Sequence, residues 1–348
     1  MAGARGWLAA DLERDRRWMH TLTRAEADDL MRALRSAQRA GRASCQTLRR
    51  EDLPLDAFLP LIDWVRDGIE NDTGIRVLRG LPVADYTRDE LRLLYWGLGL
   101  HLGTPVSQSR QGDLLGDVRN FSTDLFGPKG RGYTTREHLN FHTDSCDVVG
   151  LLVLQTAMQG GRSMVASSIA IRDEIARTRP DLLAVLEQPF HWSWQEQEPP
   201  GAAPWYRQPI FSEEQGFFSS RYIRGHIRSA QRYPEVPRLT AAQTEAMDLI
   251  DRLANDERFC FGMMFEAGDF QFLNNHVTYH SRTAFEDFAQ PERRRHLLRM
   301  WLAVPNSRPL APSMGTIYQD RRAGAVRGGF PSRVGRHVYQ TYGGGETS

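Results

Sequence analysis

Lysine is almost absent from this chain. Lys129, in the turn Pro128-Lys129-Gly130, is the single lysine among 44 basic residues. Schiff-base chemistry would have to rest on it alone, and no G-x-x-x-x-G-K-[ST] phosphate loop exists. Cysteine is scarce too: Cys45, Cys146 and Cys260 lie too far apart for a C-x-x-C site, so neither a disulfide framework nor a thiolate metal cluster is expected. Long apolar runs are missing. The N-terminal MAGARGWLAADLERDRRW breaks its short run with acids and arginines, and nothing reaches the ~18 apolar residues a membrane helix needs. A cytoplasmic protein is expected. There is also no charge excess: 44 basic against 43 acidic residues give a net charge of +1, which leaves nothing to draw the chain onto nucleic acid or a membrane. The expected partner is a small molecule, and a homo-oligomer is compatible with the sequence.

Repeats, low-complexity segments and interdomain linkers are lacking as well. The 348 residues, 41% of them hydrophobic, therefore read as one domain, although length alone would permit two. Residues 1–70 read as a helical N-terminal extension, 71–305 as the catalytic core and 306–348 as a C-terminal tail. From about residue 322 that tail is rich in Gly and Arg, which predicts partial mobility. Helix starts are marked by capping boxes at Thr23 with Glu26, Thr87 with Glu90 and Thr240 with Gln243. In the last helix Ala246, Leu249, Ile250 and Leu253 recur at helical spacing and should face a sheet.

Strand signals begin with residues 74–83. Residues 148–154 form a continuous apolar run of strand length, predicted to be a fully buried strand, ended by the turn Gln159-Gly160-Gly161. Further short strands are predicted at 163–168, 205–211, 216–222, 258–265, 269–273 and 295–303, with turns at Glu213-Glu214-Gln215-Gly216 and Glu266-Ala267-Gly268-Asp269. Many short strands with flanking helices predict an α+β chain built on a barrel or double-sheet jelly roll.

The chemistry starts at His138-Leu139-Asn140-Phe141-His142-Thr143-Asp144. An imidazole and a carboxylate two residues apart on an extended segment leave it on the same side and can reach one cation. Alone, His-x-Asp is unspecific. What sharpens it is the distant Asn274-Asn275-His276-Val277-Thr278-Tyr279-His280, followed by Arg295 and Arg299 on a predicted strand. Two histidines and one carboxylate leave positions open on Fe(II) for a chelating cosubstrate and O₂, and an arginine fork can take that cosubstrate's remote carboxylate.

In these segments, and in G-I-R-V-L-R-G-L-P, L-G-T-P-V, G-G-R-S and R-H-L-L-R-M-W-L, the sequence resembles the taurine and 2,4-dichlorophenoxyacetate dioxygenases (TauD/TfdA) over roughly residues 70 to 305. The resemblance implies a double-stranded β-helix, or jelly-roll, core with flanking helices. It implies an Fe(II) enzyme that consumes 2-oxoglutarate and O₂, releases succinate and CO₂, and oxidises a C–H bond of a small organic molecule. His142, Asp144 and His280 match the iron ligands, while His276 matches none. Arg295 and Ser163 match the 2-oxoglutarate contacts, and Arg299 matches the arginine that binds a substrate anion. The alternative for Arg299 is an ion pair with an internal acid such as Asp269. His138 and Asn140 fall where related enzymes contact substrate; Gln108, Arg221, Tyr222 and Asn275 are further pocket candidates. The aromatics Phe190, Trp192, Trp194, Trp205 and Tyr206 fit either a substrate wall or core.

With Asp144 present, chloride has no vacant ligand position, which favours hydroxylation over halogenation; desaturation, epoxidation and cyclisation begin with the same hydrogen abstraction. Two other classes compete. A cupin-like barrel could bind metal without turnover, and the same ligands could hold Zn²⁺ for hydrolysis. The arginine placed for 2-oxoglutarate argues against both.

Overall fold

A computed structural model describes residues 3–120 and 136–330, with the backbone of 338–339; Lys129 lies outside them. Six helices frame the site: α1 Arg24–Arg39, α2 Leu59–Asn71, α3 Arg88–Leu102, α4 Ser168–Thr178, α5 Arg224–Ala230 and α6 Ala241–Asn255. All three capping boxes form, opening α1, α3 and α6 with each hydroxyl accepting from the amide three residues on. Eleven strands matter here: β1 Met19–Thr21, β2 Ile75–Arg79, β3 Thr104–Val106, β4 Asp113–Val118, β5 Leu139–His142, β6 Val148–Gln155, β7 Ser163–Ser167, β8 Cys260–Met263, β9 Phe270–Asn274, β10 Thr278–Arg282 and β11 His296–Ala303.

They form two facing sheets. The larger runs β1-β2-β9-β6-β11-β4, extended by Val338–Tyr339, with β3 also on β11; the smaller runs β8-β7-β10-β5. From β5 to β7, and again from β8 to β11, consecutive strands alternate between the sheets, which is the winding of a jelly roll. Strand parity then sorts the side chains. Val149, Leu273 and Trp301 face the interior, while Leu152, Phe270 and Leu298 face outward onto Leu30, Leu34, Val65 and Leu94 of α1, α2 and α3. On the far side α4 and α6 cover the small sheet with Ile171, Ile175, Ile250 and Leu253.

Three expectations change. The run 148–154 is buried except at Leu151, which is half-buried because it faces the barrel interior beside its cross-strand neighbour Arg299. The strand expected over 205–211 is two, Trp205–Gln208 and Phe211–Glu214, since Pro209 supplies no ladder N–H. The tail is expected to loosen from about residue 322; over the described part, 322–330, Arg327 is buried and its Nε donates to Asp147 Oδ1 at 2.8 Å, while 331–337 and 340–348 lie outside the described residues. The amides of Gly329 and Phe330 bond Ser145 O and Ser107 O. Gly328 and Gly329 adopt φ of 80° and 72°. A Cβ on Gly328 would lie 2.8 Å from Ser145 O, so these glycines permit close approach rather than mobility. The aromatic cluster joins the core: Phe190, Trp192, Trp194 and Tyr206 are buried.

Candidate active site

β5 and β10 are antiparallel neighbours with His142 directly opposite His280, so two residues far apart in sequence become a cross-strand pair. Their ring centroids lie 4.2 Å apart. Asp144 follows two residues after His142, and its Oδ2 is 3.8 Å from His280 Nε2. Among the described residues these three form the group that could hold a metal ion, their ligand atoms within 4.8 Å of one another.

Two of the three are held from behind. His142 Nδ1 lies 2.9 Å from the carbonyl of Asn140, which leaves Nε2 for a ligand bond. Asp144 accepts from Trp301 Nε1 at 3.0 Å, and its amide donates to Asn275 Oδ1 at 2.9 Å. Burial alone would raise the Asp144 carboxyl, but Arg299, His280, His142 and the Trp301 N–H together hold it below the usual range. Burial, aided by His142, pushes His280 down to about 3, and burial also lowers His142. Two neutral imidazoles and an ionised carboxylate are the protonation states a metal requires.

His276 stands apart from the group. It is buried, and its Nε2 lies 2.9 Å from Asp147 Oδ1, the carboxylate that also accepts from Arg327. It therefore braces the loop after Asp144. Burial pushes it down to about 4. An unfolded histidine protonates near pH 6.5, so this one contributes stability above that value that is lost as pH falls through about 4. Thermal melts should show acid destabilisation beginning near pH 6.5, on the order of a few kcal/mol in total. His280 and His226, depressed to about 3, add to the same slope, so His276→Asn should reduce it rather than remove it; an unchanged slope would exclude His276 as a contributor.

Arg295 lies just before β11 against the Gly160-Gly161 turn, where a Cβ on Gly161 would come within 3.3 Å of its Nε. It is 5% exposed, and its Nη1 has no hydrogen-bond partner among the described residues. Burial first, then the neighbouring Arg282, depress it to about 9, with Asp287 only partly compensating. A guanidinium keeps its proton in practice, so the depression reads as an unmet demand for an anion. Ser163 also faces the interior, its Oγ donating to Gln271 Oε1 at 3.2 Å.

Arg299 points toward Asp144, with Nη1 3.8 Å from Oδ2, and its Nε donates to Gln108 Oε1 at 2.7 Å. Asp269, the example of an internal acid for it, is taken by Arg79 on β2 at 2.7 Å, and the acid that faces Arg299 is Asp144. Arg221 and Tyr222 are fully buried, bonding Ser145 Oγ and Asp251 Oδ1 respectively, and Asn275 is likewise buried. Asn275 and Arg221 each bond the loop 143–147, whereas the Tyr222 hydroxyl bonds α6. His138 and Asn140 are exposed beside the metal group. Sequence reasoning missed Trp301, although its spacing of two from Arg299 places it on the same strand face. It also missed His226 on α5, a half-buried imidazole pushed down to about 3 by burial and by Arg221 and His142. Nothing in the sequence around it gave a signal.

Comparisons with known proteins agree with this architecture. Residues 22–301 match the family described as "Taurine catabolism dioxygenase TauD, TfdA family". FR-33289 synthase of Streptomyces rubellomurinus is 30% identical over 93% of this chain and 96% of its own. The taurine hydroxylase-like protein SAT17 of Stachybotrys chartarum is 29% identical over 84% of this chain and 77% of its own. Among solved structures, asparagine oxygenase in complex with Fe(II), 2S,3S-3-hydroxyasparagine and succinate aligns with a TM-score of 0.61 at 17% identity, covering 82% of this chain and 93% of that one. The non-haem iron oxygenase OrfP in complex with Fe and alpha-ketoglutaric acid aligns at 0.58 and 16%, with the same coverage. These two likenesses establish the jelly-roll fold; the family match and the 30% identity over nearly the full length establish that the chain belongs to the TauD/TfdA family of Fe(II)- and 2-oxoglutarate-dependent dioxygenases.

Proposed function

We propose that His142, Asp144 and His280 are the iron ligands, that Arg295 and Ser163 bind 2-oxoglutarate, and that the enzyme hydroxylates an unactivated C–H bond of a small anionic molecule. The observation that carries this reading is the convergence of two neutral imidazoles and one carboxylate at a barrel mouth that also holds a buried arginine short of counter-charge. The donor set suits Fe(II), and the unpartnered Arg295 Nη1 suits a carboxylate. When bound, iron would supply O₂ activation, with 2-oxoglutarate giving up two electrons as it becomes succinate and CO₂, one oxygen atom of O₂ passing to succinate and the other to the substrate C–H.

The chain's own residues do the rest. Trp301 fixes the Asp144 carboxylate, Asn275 holds the Asp144 backbone amide, and the Asn140 carbonyl fixes the His142 ring. Arg299, aimed by Gln108, presents a cation beside the metal group, which is the basis for an anionic substrate. His138 and Asn140, exposed next to His142, are the proposed substrate contacts on the other side. Residues 71–305 form the catalytic core, and three free cysteines suit a reducing, cytoplasmic setting. No helix among the described residues is long and apolar enough to cross a membrane.

The test is a screen of anionic small molecules for substrate-stimulated succinate, with mass detection of a product heavier by one oxygen. Once a substrate is found, Arg299→Leu should weaken its binding about tenfold or more while leaving 2-oxoglutarate affinity within about twofold. A neutral substrate, or a variant that loses iron instead, would assign Arg299 to Asp144.

A further inference from the structure

Arg282 lies two residues beyond His280 on β10, so both side chains leave the strand toward the barrel interior. Its neighbour across the ladder is Ser163 of β7, whose hydroxyl faces the same interior and meets Gln271 of β9. Arg282 and Arg295 also converge on one ring: their guanidinium carbons lie 4.6 and 5.0 Å from the centroid of Phe285. Both arginines are buried. Of the charges acting on Arg295, the cation of Arg282 outweighs the carboxylate of Asp287. Two buried guanidiniums gathered at one ring make the local potential more positive than either alone, an arrangement that an incoming anion relieves.

We propose that Arg282 acts with Arg295 as a two-arginine clamp on the distal carboxylate of 2-oxoglutarate, and so helps select a dicarboxylate cosubstrate over shorter or uncharged 2-oxo acids. This rests on the 2-oxoglutarate reading above. The purely structural role open to Arg282 is to tie the end of β10 to the start of β5, since its Nη2 donates to the carbonyl of Glu137.

The two roles separate on a pair of probes. 2-Oxoglutarate and 2-oxopentanoate share the chelating 2-oxo acid end, and only the first carries a distal carboxylate. Binding of each to the Fe(II)-loaded full chain is measured anaerobically for wild type, Arg282→Gln, Arg282→Lys and Arg295→Leu. Arg282→Gln should weaken 2-oxoglutarate about tenfold, leave 2-oxopentanoate within about twofold and leave Fe(II) affinity unchanged. Arg282→Lys, which keeps the charge but loses the fork, should fall between. If Arg282→Gln keeps the wild-type preference, or weakens both probes equally, Arg282 is the strand tie and the clamp is wrong. Should Arg282→Gln fail to fold, Arg282→Lys is read on the same ratio: a preference reduced by about threefold supports the clamp, and an unchanged one overturns it. Wild-type chain that binds Fe(II) but no 2-oxoglutarate would instead sink the proposed function.

Discussion

His142→Ala, Asp144→Ala and His280→Ala are each expected to abolish Fe(II)-dependent formation of succinate from 2-oxoglutarate. Each removes one of three protein ligands, and the two that remain could not hold Fe(II) firmly. His142 and His280 face one another across the β5–β10 ladder and Asp144 sits 3.8 Å from His280, so no neighbouring side chain in the metal group can substitute. Activity should fall by at least about three orders of magnitude, with metal content falling in parallel while the melting profile of metal-free protein stays near wild type. His276→Asn is the internal control. It acts on the loop through Asp147, so it should lower stability and leave most of the turnover. An active His280→Ala with an inactive His276→Asn would show that the distal ligand has been misassigned.

The second large effect concerns the cosubstrate. Arg295→Ala should raise the apparent KM for 2-oxoglutarate about ten- to a hundredfold, the equivalent of the roughly 1.5 to 3 kcal/mol that a charge-assisted hydrogen bond contributes. Burial strengthens the expectation: at 5% exposure the guanidinium has little water to fall back on, and its Nη1 has no hydrogen-bond partner among the described residues. Ser163→Ala should raise the same constant by a smaller factor, because a neutral hydroxyl contributes less and is already engaged with Gln271. Direct anaerobic binding of 2-oxoglutarate checks both. Arg295→Ala with wild-type affinity would remove the arginine from the subsite.

Much of this site was legible in the sequence because its chemistry is concentrated in two short segments. His142 ends β5 with Asp144 two residues on, and His280, Arg295 and Arg299 follow one another near its partner strands, so spacing and residue type raised the candidates and the resemblance to the TauD/TfdA family chose among them. The capping boxes were equally legible, since each depends on residues only three apart. What failed depended on long-range pairing. The partner of Asp269 proved to be Arg79, which reaches it from a strand nearly two hundred residues earlier, and no local pattern announces such a contact. Gly328 and Gly329 read as looseness in composition, whereas in the fold they let the backbone approach Ser145 and Ser107. Asn275 and Arg221 each bond the loop that carries Asp144, contacts between segments far apart in sequence that no local pattern announces. His226 lies on a short helix, α5, far in sequence from the metal group whose charges it senses, so no local pattern points to it.

The most direct test of the central claim needs no substrate. Purified chain loaded with one equivalent of Fe(II) is incubated with 2-oxoglutarate under ¹⁸O₂, and succinate is analysed by mass. Slow uncoupled turnover is expected to yield succinate carrying one atom of the label, with none formed by Asp144→Ala or when Zn²⁺ replaces Fe(II). Succinate absent from the wild-type reaction, or formed at the same rate by Asp144→Ala, would contradict an iron centre built from His142, Asp144 and His280.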